Sequence, residues 1–332
     1  MDLLPAETLT GLSSSLCSPA AATADSYRLK TSTAEFPNRR WLTTSRTCRR
    51  LSAPRRREGA MVRIAAHGET TFRNLPVSQR MARIAQAGFD AVEFWFFGGM
   101  DVREVASACA THGITVSDFV LNSPDGSRGG SLVNPADRRA YLDALGKAVE
   151  TARILSCTKL ITCTGNEISG VPRDAQKKAV VDTLSEAALI AERQGITLLL
   201  EPLNTKVDHP GYFLASSAEG FDIVRAVNSP SLRLLYDCYH MQIMEGNLCA
   251  TIIENLPLIG HFHAAGVPGR RELFCGEVNY PYLLRRIEEA GYDGFFGLEY
   301  TPSLPDEESL RTVREYLARR PDSDPCVRRQ SG

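Results

Sequence analysis

Short apolar runs alternate with amphipathic stretches along most of the chain, between Met61 and Ala318. Each run is five to eight residues long, which is the usual length of a buried strand. In the stretches between the runs, apolar residues recur every three or four positions, so a helix is predicted after every strand. The eight predicted strands are Arg63 to His67, Asp90 to Phe96, Ile114 to Leu121, Lys159 to Thr164, Ile196 to Glu201, Leu232 to Asp237, Ile259 to Ala264 and Gly294 to Glu299.

The predicted helices have recognisable ends. Glycines follow several of them, where a left-handed residue lets the chain leave the helix and enter the next strand. These glycines are Gly88, Gly113, Gly195 and Gly291. The helices with the clearest period are Ala136 to Leu155, Arg173 to Gln194, Ala218 to Val227 and Tyr280 to Ala290.

Eight strand–helix units within residues 61–318 predict an α/β protein, a single (β/α)8 TIM barrel. A doubly wound open sheet is the alternative, but it usually has fewer strands and a glycine-rich turn after the first one. The segment after the first strand, His67-Gly-Glu-Thr-Thr71, offers no such turn. The chain also has no uninterrupted apolar stretch of the ~18 residues that a membrane-spanning helix requires.

The two ends of the chain differ from its body. Residues 1–60 contain sixteen Ser or Thr and ten Arg or Lys against five acids, so we expect a disordered basic leader. The leader is either an extension ahead of a start at Met61 or an organellar transit peptide, although Asp2 and Glu7 are unusual for the latter. Residues 319–332 are expected to form a disordered tail. Cytoplasmic localisation is the expectation, with organellar targeting left open.

Charge and cysteine content narrow the classes of partner. Residues 61–318 carry 24 Arg or Lys against 32 Asp or Glu, an acidic balance that suits neither nucleic acid nor an anionic membrane surface. The nine cysteines include no Cys-x-x-Cys pair, so neither a disulfide framework nor a thiolate zinc site is indicated. We therefore expect a small-molecule substrate, and homo-oligomerisation stays open.

Four of the last strands end in side chains that can bind a metal. These residues are Glu201, Asp237, His263 and Glu299, separated by 36, 26 and 36 positions. Because each separation is close to one strand–helix unit, the four side chains should meet at the carboxyl mouth of the barrel. Three carboxylates and one imidazole form a hard, oxygen-rich set that suits Mg²⁺ or Mn²⁺.

Other polar residues near strand ends are candidate substrate contacts. His240, in the loop after the sixth strand, could donate a hydrogen bond to a substrate oxygen. Arg270 lies in a glycine-rich turn, where a guanidinium could bind a carboxylate through two hydrogen bonds, and the adjacent Arg271 is its competitor. Glu93 and His67 end the second and first strands and could line the mouth.

The remaining histidines have simpler interpretations. His261 shares the strand face of His263 by alternation, so it either packs there or supports the metal site. His112 and His209 are predicted to be surface loop residues.

Several motifs occur in a fixed order after residue 200. They are Glu201-Pro-Leu-Asn204, Tyr236-Asp-Cys-Tyr-His-Met241, His261-Phe-His263, Pro268-Gly-Arg270, Gly276-Glu-Val-Asn-Tyr280 and Gly291-Tyr-Asp-Gly294 through Glu299-Tyr300. Through them, residues 61–318 resemble the hydroxypyruvate isomerase family, part of the xylose isomerase-like TIM barrels, which also include ketose 3-epimerases. The leader has no counterpart in this resemblance.

The resemblance implies a divalent metal held by the four mouth residues, with Glu201 and Glu299 also transferring protons. The implied reaction is the isomerisation of hydroxypyruvate to tartronate semialdehyde. Such chemistry needs removal of a proton next to a carbonyl, an enediolate, and return of a proton to the neighbouring carbon. Hydroxypyruvate isomerases can carry Gln at the position of His263, whereas the epimerases carry His, so a ketose 3-epimerase or related polyol enzyme is the alternative.

Two other functional classes are alternatives for this barrel. An apurinic-site endonuclease shares the barrel, but its metal cluster needs histidines from early strands and an Asp-x-His pair. The run Phe94 to Phe97 has no histidine and the chain has no Asp-x-His. A barrel that binds a sugar acid without turnover would be expected to lack at least one mouth residue, and all four are present.

Overall fold

A closed eight-stranded barrel forms the body of the protein. The computed structural model describes residues 61–319, and the predictions for the leader and for positions 320–332 lie outside that range. The strands follow one another around the barrel in chain order, all parallel, and β8 closes the sheet against β1. They are β1 (Arg63–His67), β2 (Ala91–Phe94), β3 (Thr115–Val120), β4 (Lys159–Thr162), β5 (Thr197–Leu200), β6 (Leu232–Asp237), β7 (Ile259–Ala264) and β8 (Phe295–Leu298). The predicted single (β/α)8 barrel is confirmed.

Each strand is followed by at least one helix, as the periodicity indicated. The helices are α1 (Val77–Gln86), α2 (Val102–His112), α3 (Arg138–Leu155), α4 (Arg173–Arg193), α5 (Ser217–Val227), α6 (Cys238–Met244), α7 (Leu248–Asn255), α8 (Tyr280–Glu289) and α9 (Asp306–Ala318). Gly113 ends α2 in the left-handed conformation, at φ 67°. The predicted helix bounds differ from the observed ones by one or two residues. At α3 the difference of two arises because a 3₁₀ turn over Pro135–Asp137 precedes the helix.

Several strands end earlier than the apolar runs predicted. The second run extends to Phe96, whereas β2 stops at Phe94, because the next two backbone N–H groups donate to the carboxylate of Glu69 instead of a neighbouring strand. Likewise Glu201 and Glu299 follow β5 and β8 instead of belonging to them. The residues that follow these strands without pairing in the sheet are the ones that can contribute side chains to the mouth of the barrel.

Strand alternation divides the buried residues into two sets. The larger core lies between strands and helices and includes Phe262 and Phe296. A separate small cluster of Val120, Ile161, Leu199 and Leu235 lies on the opposite strand face. By alternation, this face also carries Glu201, just after β5, and Asp237, at the end of β6, each two positions beyond a leucine of the cluster. The charged mouth therefore rests on an apolar layer.

Within residues 61–319, no helix has both the length and the apolar character needed to cross a bilayer. Cysteines 109, 157, 163, 238, 249 and 275 are free thiols.

Candidate active site

Four consecutive strands bring the predicted metal-binding side chains together. Asp237 and His263 are direct register partners in the β6–β7 pair, while Glu201 and Glu299 follow β5 and β8. All four are buried, with 1–7% of their surface exposed. One donor atom from each lies within 4.8 Å of the others, so the convergence expected from their spacing is present.

His263 stands at the centre of this mouth group. Its Nδ1 atom lies 3.6 Å from Glu201 Oε1 and 3.4 Å from Glu299 Oε2. Neither ring nitrogen has a hydrogen-bond partner among the described residues. An imidazole between carboxylates without hydrogen bonds is unusual in a protein interior.

Burial and crowding strongly perturb the pKa values of the mouth group. Burial, together with the nearby Glu299, raises the pKa of Asp237 to about 7. Burial opposes charge on His263 as well, but the surrounding carboxylates, Glu93 foremost, raise its pKa well above the usual range. Burial would also raise the pKa of Glu299, yet Arg270 and His263 hold it well below its ordinary value. These shifts show that the clustered carboxylates favour a positively charged group among them.

The donor set fits a divalent cation. Asp237 Oδ1 accepts hydrogen bonds from the backbone N–H groups of Tyr239 and His240, at 2.7 and 3.2 Å, which caps α6 and leaves Oδ2 available. His263 contributes an unpartnered nitrogen, and the two glutamates contribute carboxylate oxygens. Carboxylates with one imidazole form a typical site for Mg²⁺ or Mn²⁺.

A cavity of about 230 Å³ opens beside the mouth group. Its lining combines the two glutamates with basic and aromatic side chains. The lining residues are Trp95, Phe96, Val120, Pro124, Cys163, Glu201, Leu203, His209, His240, Arg270 and Glu299. His209 lies in a loop, as predicted, but it is half-buried and lines the cavity, with its ring 5.5 Å from that of His240. His112, by contrast, is exposed at the end of α2.

His240 is held in one tautomer by Asn204. The backbone N–H and side-chain amide of Asn204 both contact Nδ1 of His240, at 3.2 and 2.7 Å. Asn204 Oδ1 accepts from the backbone N–H groups of Val207 and Asp208, so its NH₂ group must face the imidazole. Nδ1 is therefore an acceptor, and burial, with Arg270 nearby, keeps the pKa of His240 well below 6.5. The proton lies on Nε2, which stands 3.6 Å from Asp237 Oδ2 and has no hydrogen-bond partner among the described side chains.

Arg270 occupies the cavity, as its position in the sequence suggested. Its Nη2 atom donates to Glu299 Oε2 at 2.6 Å, and its guanidinium lies over the ring of Tyr239 at 5.2 Å. The adjacent Arg271 is exposed and turns toward the backbone oxygen of Thr301. The structure thus places Arg270, and not Arg271, at the cavity.

The remaining candidates lie deeper than expected. Glu93 is 1% exposed and does not line the described cavity; it contacts His263 Nε2 at 3.4 Å and His261 Nε2 at 3.3 Å. His67 is also buried, its ring packs 4.4 Å from that of Trp95, and burial lowers its pKa to about 3. Both therefore stand behind the cavity surface instead of facing it.

Sequence reasoning missed three residues of this region. Trp95 donates its indole N–H to Glu299 Oε1, and its signal was an aromatic residue at the end of a predicted strand. Asn204 ends the motif Glu201-Pro-Leu-Asn204, in which only the glutamate was predicted to be a site residue. Asp118 is an acid in the middle of a strand that is buried from its second residue on, a pattern that by itself marks a polar site in a barrel interior.

Comparison with known proteins agrees with the barrel fold. A family model described as xylose isomerase-like TIM barrel matches residues 81–320. The chain is 33% identical over 261 residues to a 2-oxo-tetronate isomerase of Cupriavidus necator. The aligned region covers 78% of this chain and 100% of the relative. It is 32% identical over 259 residues to the hydroxypyruvate isomerase of Escherichia coli K12, covering 77% and 100% respectively.

A solved structure shows the same barrel. The crystal structure of a protein described as AP endonuclease, family 2, from Brucella melitensis is 33% identical, with a TM-score of 0.72. The match covers 77% of this chain and 99% of that one.

Proposed function

This chain belongs to the xylose isomerase-like TIM barrel family, and on that basis we propose that it converts hydroxypyruvate to tartronate semialdehyde with the help of a divalent metal ion. It is an isomerase, and the relatives named hydroxypyruvate isomerase and 2-oxo-tetronate isomerase support small oxo acids as its substrates. One observation carries the finer proposal. A guanidinium suited to a carboxylate shares one small cavity with two glutamates of the mouth group.

The two glutamates are placed for proton transfer. In hydroxypyruvate, a base removes a proton from C3 to form an enediolate, and an acid returns a proton to C2, while the hydroxyl proton moves from O3 to O2. Glu201 Oε1 and Glu299 Oε2 lie 3.6 and 3.4 Å from His263 Nδ1, and both residues line the cavity. Arg270 and Trp95 hydrogen-bond Glu299, which keeps its carboxylate ionised and oriented for this exchange.

Glu201, Asp237, His263 and Glu299 would hold the metal. A bound divalent cation would polarise the substrate carbonyl and stabilise negative charge on the two oxygens of the enediolate.

Two further side chains would orient the substrate. His240 is neutral and offers Nε2–H, which can donate to a substrate oxygen without adding charge to the site. Arg270 has five N–H donors in a planar fork, so it can bind the substrate carboxylate while one of its nitrogens remains on Glu299. A ketose without a carboxylate would lack this contact.

The proposal is tested by assaying the purified full-length chain, with and without chelator, against hydroxypyruvate, tartronate semialdehyde and a panel of ketoses. Activity on the three-carbon acids that disappears with chelator and returns with Mg²⁺ or Mn²⁺ is the expected result. Activity confined to ketoses would instead identify an epimerase or sugar isomerase. An apurinic-site DNA duplex belongs in the panel, because a relative is described as an endonuclease, and we expect no cleavage.

The two-glutamate mechanism has its own test. Glu201→Gln and Glu299→Gln should each lower kcat by at least about 100-fold, because an amide can neither accept the proton nor bind the metal as a carboxylate does. Circular dichroism should show that the barrel remains folded. Glu150→Gln, an exposed change on α3, is the matched control and should leave kcat unchanged. Near-normal turnover in either site variant would contradict the mechanism.

A further inference from the structure

A second group of metal-binding side chains lies inside the barrel, below the mouth group. It consists of Glu93 on β2, Asp118 on β3, and His261 and His263 on β7. Each is 0–2% exposed, and one donor atom from each lies within 4.8 Å of the others. We call these four residues the inner group.

The inner group contains buried polar atoms without partners. Neither oxygen of Asp118 has a hydrogen bond within residues 61–319, and the same is true of Glu93 Oε1 and His261 Nδ1. A buried carboxylate in this condition is expensive, since it has lost hydration without replacement. In a native structure such groups have a reason, such as a bound ion, an ordered water or a proton on the carboxyl, and a cation is the one that would satisfy both carboxylates and both imidazoles together.

The distances within the inner group match a coordination polyhedron better than a hydrogen-bond network. His261 Nε2 is 3.1 Å from Asp118 Oδ2 and 3.3 Å from Glu93 Oε2. His263 Nε2 is 3.4 Å from the same Glu93 oxygen. Charge-assisted hydrogen bonds are usually about 2.7–2.9 Å, whereas ligands of a tetrahedral zinc ion, bonded at about 2.0–2.1 Å, stand roughly 3.3 Å apart. Of the two carboxylates near His261 Nε2, only Glu93 has the geometry of a hydrogen bond to it, at 3.3 Å, and Asp118 is left without one.

We propose that the inner group is a second metal site, which binds a divalent cation of the zinc class through two imidazole nitrogens and two carboxylate oxygens. Two carboxylates balance the charge of such an ion, and an equal mixture of nitrogen and oxygen ligands favours zinc over Mg²⁺. The backbone is shaped for this group. A Cβ atom on Gly297 would lie only 1.9 Å from Glu93 Oε2, so the glycine in β8 makes the space that this carboxylate occupies.

His263 connects the inner group to the mouth group. Its Nε2 faces Glu93, while its Nδ1 faces Glu201 and Glu299. The ring would serve both sites when both ions are bound, with Nε2 available to the inner group and Nδ1 to the mouth group. Asp118 and His261 belong to the inner group alone and do not line the described cavity, so the inner ion acts by holding the ring of His263 and not by touching substrate.

Metal location tests the proposal directly. The full-length protein is stripped with chelator, saturated with Zn²⁺, analysed for zinc content, and crystallised for anomalous diffraction at the zinc edge. We expect an anomalous peak between His261 Nε2 and Asp118 Oδ2, with two zinc ions per chain. No peak at that position in the zinc-saturated protein would overturn the proposal, whatever is found at the mouth.

Variants separate the two sites. Asp118→Asn and His261→Gln should each lose one zinc ion and the inner peak, whereas Asp237→Asn should lose the mouth peak and keep the inner one. Asp143→Asn, on the exposed face of α3, is the matched control and should retain both ions. Unchanged zinc content in both inner variants would contradict the assignment. If one inner variant fails to fold, the other variant and the wild-type anomalous map still decide the question.

Discussion

At the scale of single residues, the site depends on side chains whose donors and acceptors are fixed by their neighbours. Asn204 illustrates this, because two backbone N–H groups orient its amide and the amide in turn fixes the tautomer of His240. Asn204 is thus a positioning residue. Which nitrogen of a histidine carries the proton is often set by such a partner.

Asn204→Asp tests this positioning. The aspartate would accept a proton from Nδ1 of His240 and favour the opposite tautomer, so Nε2 would no longer donate into the cavity. We expect kcat to fall about 10- to 100-fold with a smaller change in KM, and ¹⁵N NMR of the imidazole should show the altered tautomer. Asn74→Asp, at an exposed position, is the control. An unchanged imidazole spectrum would show that Asn204 does not set the tautomer.

Arg270 is predicted to distinguish acids from neutral ketoses. Arg270→Met removes a charge-assisted contact of about 1.5–3 kcal/mol, so kcat/KM for hydroxypyruvate should fall about 10- to 100-fold. The loss should be smaller for dihydroxyacetone, which has no carboxylate. Arg271→Met alters the exposed neighbour and should change neither value. If kcat/KM fell equally for both substrates, Arg270 would act only through its hydrogen bond to Glu299 and would not bind the substrate carboxylate.

At the scale of elements, two loops that carry site residues are joined by one buried carboxylate. Glu272, after β7, accepts hydrogen bonds from Ser303 N and Oγ at 2.8 and 2.6 Å and from Ser309 Oγ at 2.9 Å. The backbone N–H of Thr301 also donates to the oxygen of Arg270 at 2.9 Å. The loop after β8 is therefore tied to the turn that presents the guanidinium.

Glu272→Ala should destabilise the protein by about 2–4 kcal/mol, because several buried donors lose a charged acceptor. The measurement is the shift of the urea unfolding midpoint relative to wild type. Glu277→Ala, at an exposed position in the same loop, should shift the midpoint far less. Equal shifts in the two variants would show that the buried carboxylate adds no special stability.

At the scale of the whole molecule, closing the sheet into a barrel places charges from distant parts of the chain in one water-poor interior. This crowding is why the pKa of Asp237 rises to about 7 and why His263 holds its proton so firmly. Metal binding must displace these protons. Metal affinity and pH are therefore linked.

The sign of this linkage follows from the two pKa shifts. Below about pH 7, binding must release protons from both Asp237 and His263, so affinity should fall by up to about 100-fold per pH unit as pH drops. About one pH unit above that pKa, Asp237 is ionised and only the imidazole proton must leave, which predicts a change in affinity of about tenfold per pH unit. Mn²⁺ titration calorimetry between pH 6 and 8, in buffers of different ionisation enthalpy, counts the released protons. A flat affinity over this range would contradict the linkage.

Much of the fold and of the mouth group could be predicted from local patterns in the sequence. Strand and helix order depend on apolar period, which is a property of neighbouring residues, and residues such as Glu201 and Glu299 mark strand ends that any parallel barrel gathers at one mouth. The side chains behind the mouth could not be placed this way. Glu93 lies one residue before the end of β2, where the pairing with β3 shifts register between Val92–Val116 and Phe94–Phe119, and its carboxylate lies under His263.

By itself, the sequence determined the barrel, its order of elements and the residues that meet at the mouth, because period, spacing and parallel topology together leave little freedom. Only the tertiary structure decided which nitrogen of His240 is protonated, which of two adjacent arginines enters the cavity, and that Asp118 and His261 converge with Glu93. These outcomes depend on distances between strands that are far apart in the chain. Closure of the sheet sets those distances, and no local pattern encodes them.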